Sequence, residues 1–253
     1  LTRQIEQIIR KVSGIEHGPV VLHEPFFNGN ERQYVTDCID TNWVSTVGKY
    51  VNLFEQLISR TTGVKHAIAT INGTAALHIC LLLAGVQAGD EVLTQALTFV
   101  AAANAIAYSN ATPHFVDVEL DTLGVCPERL REHLQTIGTV KNGILHNKNT
   151  DRPIRALMVM HTFGHPSRLD ELKQVCDEFG IKLIEDAAEA IGSEYHGRHV
   201  GSHGLLSALS FNGNKTITTG GGGAILTNDD AIAQQARHLT TTGKVSHIWE
   251  YFH

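Results

Sequence analysis

Several class-defining features are missing from the sequence. No apolar run is long enough to cross a bilayer: the longest, Leu77 to Val86 and Phe99 to Tyr108, are interrupted by His78, Cys80 and Asn104 and fall short of the ~20 residues a spanning helix needs. There is no basic block, and 20 Lys and Arg stand against 26 Asp and Glu for a net charge of −6, so neither nucleic acid nor an anionic membrane surface is an expected partner. The N-terminal stretch from Leu1 to Ile9 is amphipathic and lacks the continuous apolar core of a signal peptide, which points to a cytoplasmic protein. Cys38, Cys80, Cys126 and Cys176 form no C-x-x-C pair and read as four reduced thiols. Fifteen histidines invite a metal site, most of all at His161 and His165 and at the trio His196, His199 and His203. The glycines between those three make a turn rather than a helix face on which imidazoles converge, so no metal is expected there.

At 253 residues and 42% hydrophobic, the chain is long enough for one large domain with a substantial core. Residues 1–12 read as an amphipathic helix, followed by a loop. Asn30 is a plausible N-cap for a helix through Asp40, and Val51 to Thr61 is a helix ended by Gly63. Strands at 66–70, 91–95, 114–118, 155–160, 181–185, 205–210 and 223–227 then interleave with helices at 73–83, 99–108, 128–136, 169–179 and 229–238. Residues 138–152 read as a long polar loop. Strands alternating with helices imply an α/β fold: a mostly parallel sheet with helices on both faces. In such sheets a ligand sits at the carboxyl ends of the strands.

The chemistry gathers at those ends. Lys215 lies among small polar residues, with an apolar run on each side and Gly220 to Gly223 just behind it. That pattern suggests a reactive amine on a tight loop between two strands. It is not a phosphate loop of the Walker type, which has Gly directly before Lys where this chain has Asn214. At Asn72-Gly73-Thr74 a strand turns into a helix whose free N–H groups and dipole suit a phosphate. Phe99 is delivered by a strand end to the start of a helix, which by itself fits core packing as well as a site. Asp186 closes an apolar strand, and a carboxylate there calls for a cationic partner such as a pyridinium nitrogen.

Taken with Trp43-Val44-Ser45-Thr46, Asn72 to Leu77, Thr98 to Ala101, His161-Thr162-Phe163-Gly164-His165-Pro166, Glu185 to Glu189 and Ser210 to Gly223, these residues resemble the sugar aminotransferases of the DegT/StrS type. Those are pyridoxal 5′-phosphate (PLP) enzymes of the aspartate aminotransferase fold, fold type I. The resemblance implies an N-terminal helix and arm over 1–25 and a PLP-binding large domain over 26–253. It makes Lys215 the Schiff-base lysine and Asp186 the partner of the pyridine nitrogen. Gly73, Thr74, Ala75 and Ser210 would hold the phosphate, Phe99 would stack on the ring, Glu189 would lie near the ring hydroxyl, and Ser45 and Thr46 would touch substrate. An amino group would pass from an amino acid, glutamate being the expected donor, to a nucleotide-linked 4-keto-6-deoxy sugar. Leu22-His23-Glu24-Pro25, Asn28 to Glu31 and Gly48 to Val51 look most like the branch leading to legionaminic-type nonulosonic acids. A homodimer is expected from the resemblance and from the glycine run, which lets another backbone approach the lysine loop.

Two departures stand out. Many relatives carry Gly-Glu-Gly-Gly where this chain has Gly220-Gly221-Gly222-Gly223, and they continue into a C-terminal small domain past the point where this chain stops at Tyr251-Phe252-His253. The expectation is therefore a large domain without its small domain. The alternatives are another lysine-linked PLP enzyme, a lyase or desulfurase, or an inactive PLP-binding fragment. A dehydratase of the same family is disfavoured, because those it resembles replace the lysine with histidine.

Overall fold

The computed structural model describes residues 2–21, 23–46, 48–241 and 243. Helices α1 (Thr2–Ser13) and α2 (Glu31–Asp40) come first, and neither buries a residue. The apolar stripe of α1, Ile5, Ile8, Ile9 and Val12, is exposed. Asn30 takes the N-cap position of α2 without making a side-chain capping bond. Helix α3 (Lys49–Thr62) ends, as expected, on Gly63 in the left-handed conformation.

Then the alternation begins: β1 (His66–Thr70), α4 (Gly73–Leu83), β2 (Glu91–Gln95), α5 (Val100–Tyr108), β3 (Thr112–Val116) and α6 (Pro127–Ile137). It continues with β4 (Gly138–Lys141), β5 (Ile144–Asn147), β6 (Arg152–Met160), α7 (Leu169–Phe179) and β7 (Lys182–Asp186). The last elements are the short β8 (Glu194–Tyr195) and β9 (Arg198–His199), then β10 (Leu206–Ser210), β11 (Gly223–Thr227) and α8 (Asp230–Thr240). The expected polar loop over 138–152 is instead a hairpin. Asn142 and Gly143 both have positive φ, 52° and 76°, the geometry of a two-residue turn that Asn-Gly favours between strands.

The main sheet runs β1-β11-β10-β7-β6-β2-β3. Strands β10, β7, β6, β2 and β3 pair in parallel, whereas β11 is antiparallel to both neighbours. Side chains alternate between its faces as the period of two requires. On one face Val92, Ala156, Met158, Ile184, Ala208 and Ile225 pack with Leu77, Leu81, Ile106 and Ala236 of α4, α5 and α8. On the other, Leu93, Leu157, Val159 and Leu183 meet Leu130, Leu134, Leu172 and Val175 of α6 and α7. Burial on both sides explains why β2 and β11 are buried at every residue. All four cysteines are free, and burial pushes the Cys176 thiol up to about 12. No helix among the described residues is long and apolar enough to cross a membrane.

Candidate active site

A cavity of about 490 Å³ opens at the carboxyl ends of β1, β2, β6, β7 and β10. Its first wall is the turn from β1 into α4. Asn72 caps α4, its Oδ1 accepting from Ala75 N–H at 2.8 Å. The N–H groups of Gly73 and Thr74, at the open end of the helix, have no intrahelical acceptor. Ala75 is thus already engaged and is not in the cavity lining, whereas Gly73 and Thr74 are. Helix and sheet approach so closely here that a Cβ on Gly73 would stand 2.8 Å from Ser210 Cβ, which sets the Ser210 hydroxyl beside the helix end.

Asp186 ends β7 and faces the cavity with its side chain buried. Burial pushes its pKa up to about 6, and one hydrogen bond, from Ala188 N–H to Oδ1 at 3.2 Å, offsets only part of that cost. Its neighbour on the strand is treated differently. Glu185 accepts from Gly201 N–H, His203 N–H and Gly204 N–H at 2.8, 2.8 and 2.6 Å, and from His161 Nε2 at 3.1 Å. Burial raises its pKa, yet the His161 ring and the backbone donors outweigh that and hold it below the ordinary range. Because His161 Nδ1 accepts from Ser167 N–H, the ring nitrogen that donates to Glu185 is Nε2.

Lys215 comes from the loop joining β10 to β11, which is closed by Phe211 N–H to Gly222 O and Thr219 N–H to Phe211 O. Its Nζ donates to Glu189 Oε1 at 2.8 Å and lies 5.7 Å from the centre of the Phe99 ring. The lysine side chain is only 12% exposed. Phe99 itself is 63% exposed, as a ring offered to a ligand would be and a core residue would not. Behind the lysine, the four glycines differ in what they do. Gly220 has φ of 82°, and a Cβ on Gly223 would sit 2.5 Å from the carbonyl of Asn72. At Gly223 the approaching backbone is that of the same chain, at the β1–α4 turn. A Cβ on Gly221 would meet only Ile71 O, at 3.8 Å.

Of the residues singled out from the sequence, Gly73, Thr74, Phe99, Asp186, Glu189, Ser210 and Lys215 line this one cavity. Ser45 and Thr46 lie in an exposed bend after α2 and are not in its lining. The lining also contains Met160, His161, Phe163, Asn212 and Asn214, none of which carries a periodicity or spacing signal. The histidines of the suspected metal trio are spread over the β8–β9 hairpin, His196 pairing with Asp170. Among the described residues, the group with metal-like spacing is Glu119, Cys126 and Glu128, and there Arg168 bonds both carboxylates.

The chain is 42% identical over 219 residues to the GDP-perosamine synthase of Caulobacter vibrioides, covering 87% of this chain and 55% of that protein. A solved structure of DesI in the presence of its TDP-sugar product superimposes with a TM-score of 0.77 at 30% identity, covering 90% of this chain and 54% of that one. The fold is also that of a GDP-4-keto-6-deoxymannose-3-dehydratase solved with a trapped PLP-glutamate geminal diamine, with a TM-score of 0.76, 22% identity, and 89% and 56% coverage. The chain spans between 55% and 60% of the length of the curated relatives it matches. Residues 26–253 match the sequence profile of one family throughout. With the lysine loop, the strand-end aspartate and the Asn-Gly-Thr helix start gathered around one cavity, the chain belongs to the DegT/DnrJ/EryC1/StrS aminotransferase family.

Proposed function

We propose that this chain is the PLP-binding part of an aminotransferase that moves an amino group from an amino acid, glutamate first, to a nucleotide-linked 4-keto-6-deoxy sugar. The observation that carries this is the meeting of Lys215, Asp186 and the open end of α4 in one cavity. Each fits a different part of PLP: a lysine held out of water, a buried carboxylate short of a cation, and a helix end where Gly73 leaves room beside Ser210. Residues 26–253 form the cofactor-binding body in this reading and 1–25 an arm; Tyr251 to His253 lie outside the described residues.

When bound, PLP supplies an electron sink for the carbanion left as the donor loses its Cα proton. Asp186 would hold a proton on the ring nitrogen, an ion pair that also relieves its own burial. Gly73 and Thr74 N–H and Ser210 Oγ would bind the phosphate, and Phe99 would cover one face of the ring. Without a ligand, Lys215 is paired with Glu189. Lys215 would hold the cofactor and, once displaced from it by the donor's amino group, would be placed to carry the proton to and from the reacting carbon. Glu189 stays beside it, in reach of the ring hydroxyl.

The relatives' names support a nucleotide sugar as acceptor. The nonulosonic-acid branch and a cytoplasmic site of action belong to the same reading. So does a homodimer, which the family resemblance supports; Gly223 packs against its own chain, whereas a Cβ on Gly220 would meet nothing within 4 Å among the described residues. Ser45 and Thr46 would then act only across a subunit boundary. Borohydride reduction of the PLP-loaded protein, followed by peptide mass mapping, should place the pyridoxyl group on Lys215; a label on any other lysine overturns the assignment. Glutamate should bleach the visible absorbance of the loaded enzyme, and a panel of keto-sugar nucleotides should restore it selectively. A lyase or desulfurase would not show that pair of responses.

A further inference from the structure

Gln95 ends β2 with its side chain wholly buried. A buried primary amide has one oxygen and two N–H bonds to satisfy, and each one left over is destabilising. Gln95 Oε1 accepts from Met160 N–H at 3.0 Å. Its Nε2 reaches Met160 O at 3.1 Å, Thr162 Oγ1 at 3.2 Å and Leu123 O at 3.3 Å. Backbone groups with only one possible role therefore fix which way the amide points. Strand pairing between β2 and β6 stops at Thr94 and Met158, and the Gln95 side chain takes over from there, bonding both backbone groups of Met160.

Two cavity walls hang from this amide. The Met160 sulfur accepts from Phe99 N–H at 3.3 Å and from Thr98 O–H at 3.5 Å, at a helix start that has no side-chain cap of its own. On the other side, Thr162 Oγ1 accepts from Gln95 and donates to Leu123 O. Thr162 also begins the turn that carries Phe163, with φ of 53° and 78% exposure. Gly164 seats that turn against Glu189, where a Cβ would stand 2.5 Å from Glu189 O. One side chain thus ties the Phe99 wall to the wall of Phe163 and Glu189.

We propose that Gln95, with Met160 as its relay, is a positioning residue that sets Phe99 and Phe163 relative to each other and so the fit of a flat ring between the cavity walls. The inference rests on the PLP reading for the identity of that ring, and on geometry alone for the placement of the two aromatics.

The test uses protein labelled with 4-fluorophenylalanine, the Phe99 and Phe163 fluorine resonances being assigned with Phe99→Tyr and Phe163→Tyr. In Gln95→Glu the introduced carboxyl, when protonated, can still accept from Met160 N–H and donate to Met160 O. Once ionised it faces the Met160 and Leu123 carbonyls with no proton to offer. The Phe99 and Phe163 resonances should therefore match the parent near pH 5.5 and move away from it near pH 8.5, with those of the packed pair of half-buried Phe54 and buried Phe211 unchanged. The ionisable groups on the flanking segments, His161, Asp186 and Glu119, are present in both proteins, so their contribution cancels in the comparison. Met160→Leu, which keeps volume but removes the sulfur acceptor, should move Phe99 and leave Phe163. PLP affinity of Gln95→Glu, read by absorbance titration, should equal the parent's at the lower pH and be about tenfold weaker at the higher.

Unmoved Phe99 and Phe163 resonances in either variant, or equal shifts at all four rings, overturn the inference. If Gln95→Glu does not fold, Met160→Leu decides by the same criterion. A parent that fails to bind PLP overturns the cofactor reading instead, and the fluorine spectra still judge Gln95.

Discussion

Replacing Asp186 by Asn should make the cofactor-free protein more stable at neutral pH and no more stable in acid. The Asn side chain keeps an oxygen to accept Ala188 N–H, so the substitution removes the charge and little else. In the folded chain the Asp186 carboxyl titrates at about 6 because it is buried, against an ordinary 3.8. Between those values the folded state binds the extra proton, so stability falls as pH rises, by about 1.4 kcal/mol per unit, and levels off above pH 6. The accumulated cost at pH 7.5 is about 3 kcal/mol, which for a chain of 253 residues corresponds to roughly 5 °C in Tm. Thermal melts of parent and variant, both without PLP, at pH 4 and 7.5 would show it: a gap near zero in acid and about 5 °C at the higher pH, with the variant above. Adding PLP should shrink or reverse the gap by pairing the aspartate with a protonated ring nitrogen. A difference that does not change with pH would mean that the Asp186 carboxylate is solvated or paired, and would remove the reason for expecting a cation in front of it.

With the cofactor present, the same Asp186→Asn should keep PLP but lose on the order of a thousandfold in turnover, several kcal/mol in the barrier, measured as single-turnover transamination of glutamate; a loss below about threefold would reduce Asp186 to a structural carboxylate. Gly223→Ala should destabilise the fold by several kcal/mol, since its Cβ would overlap the Asn72 carbonyl, while Gly221→Ala should stay within about 0.5 kcal/mol of the parent, both read by urea denaturation. Light scattering of the full-length protein should report a dimer; a monomer that binds PLP and turns over normally would refute the subunit-boundary role given to Ser45 and Thr46.

Much of this architecture can be read directly from the sequence, because strands buried on both faces and helices buried on one leave strong periodicities. The strand before Asp186 is expected one residue early, over 181–185, and is found over Lys182–Asp186; a run of apolar residues does not mark its own register. The β4–β5 hairpin was hidden by its polarity, although Asn142-Gly143 is the kind of pair that makes such a turn. Lys215, Asp186 and Gly73 announced themselves through local context. Gln95 could not, since its partners Leu123, Met160 and Thr162 are distant in sequence and a glutamine in an apolar strand has no spacing to detect. Ala75 differs from Gly73 and Thr74 in that its N–H donates to the Asn72 side chain, a local cap that the sequence already suggested. The glycine run was legible as a close approach but not as to which backbone does the approaching.

The place of β11 in the sheet also dictates an order of assembly. Among the described residues strand β1 is at an edge and its one ladder partner is β11, Ile68 opposite Ile225. A ribosome adding about 5–20 residues per second needs roughly ten to thirty seconds to travel from one strand to the other. During that time β2, β3, β6 and β7 can already pair, while β1 waits with Ala67 and Ile68 uncovered and an unpaired edge open to other chains. The helix end that follows β1 waits with it. A nascent chain halted at residue 220 would contain Lys215, Asp186 and Gly73 and still lack the strand through which β1 joins the sheet.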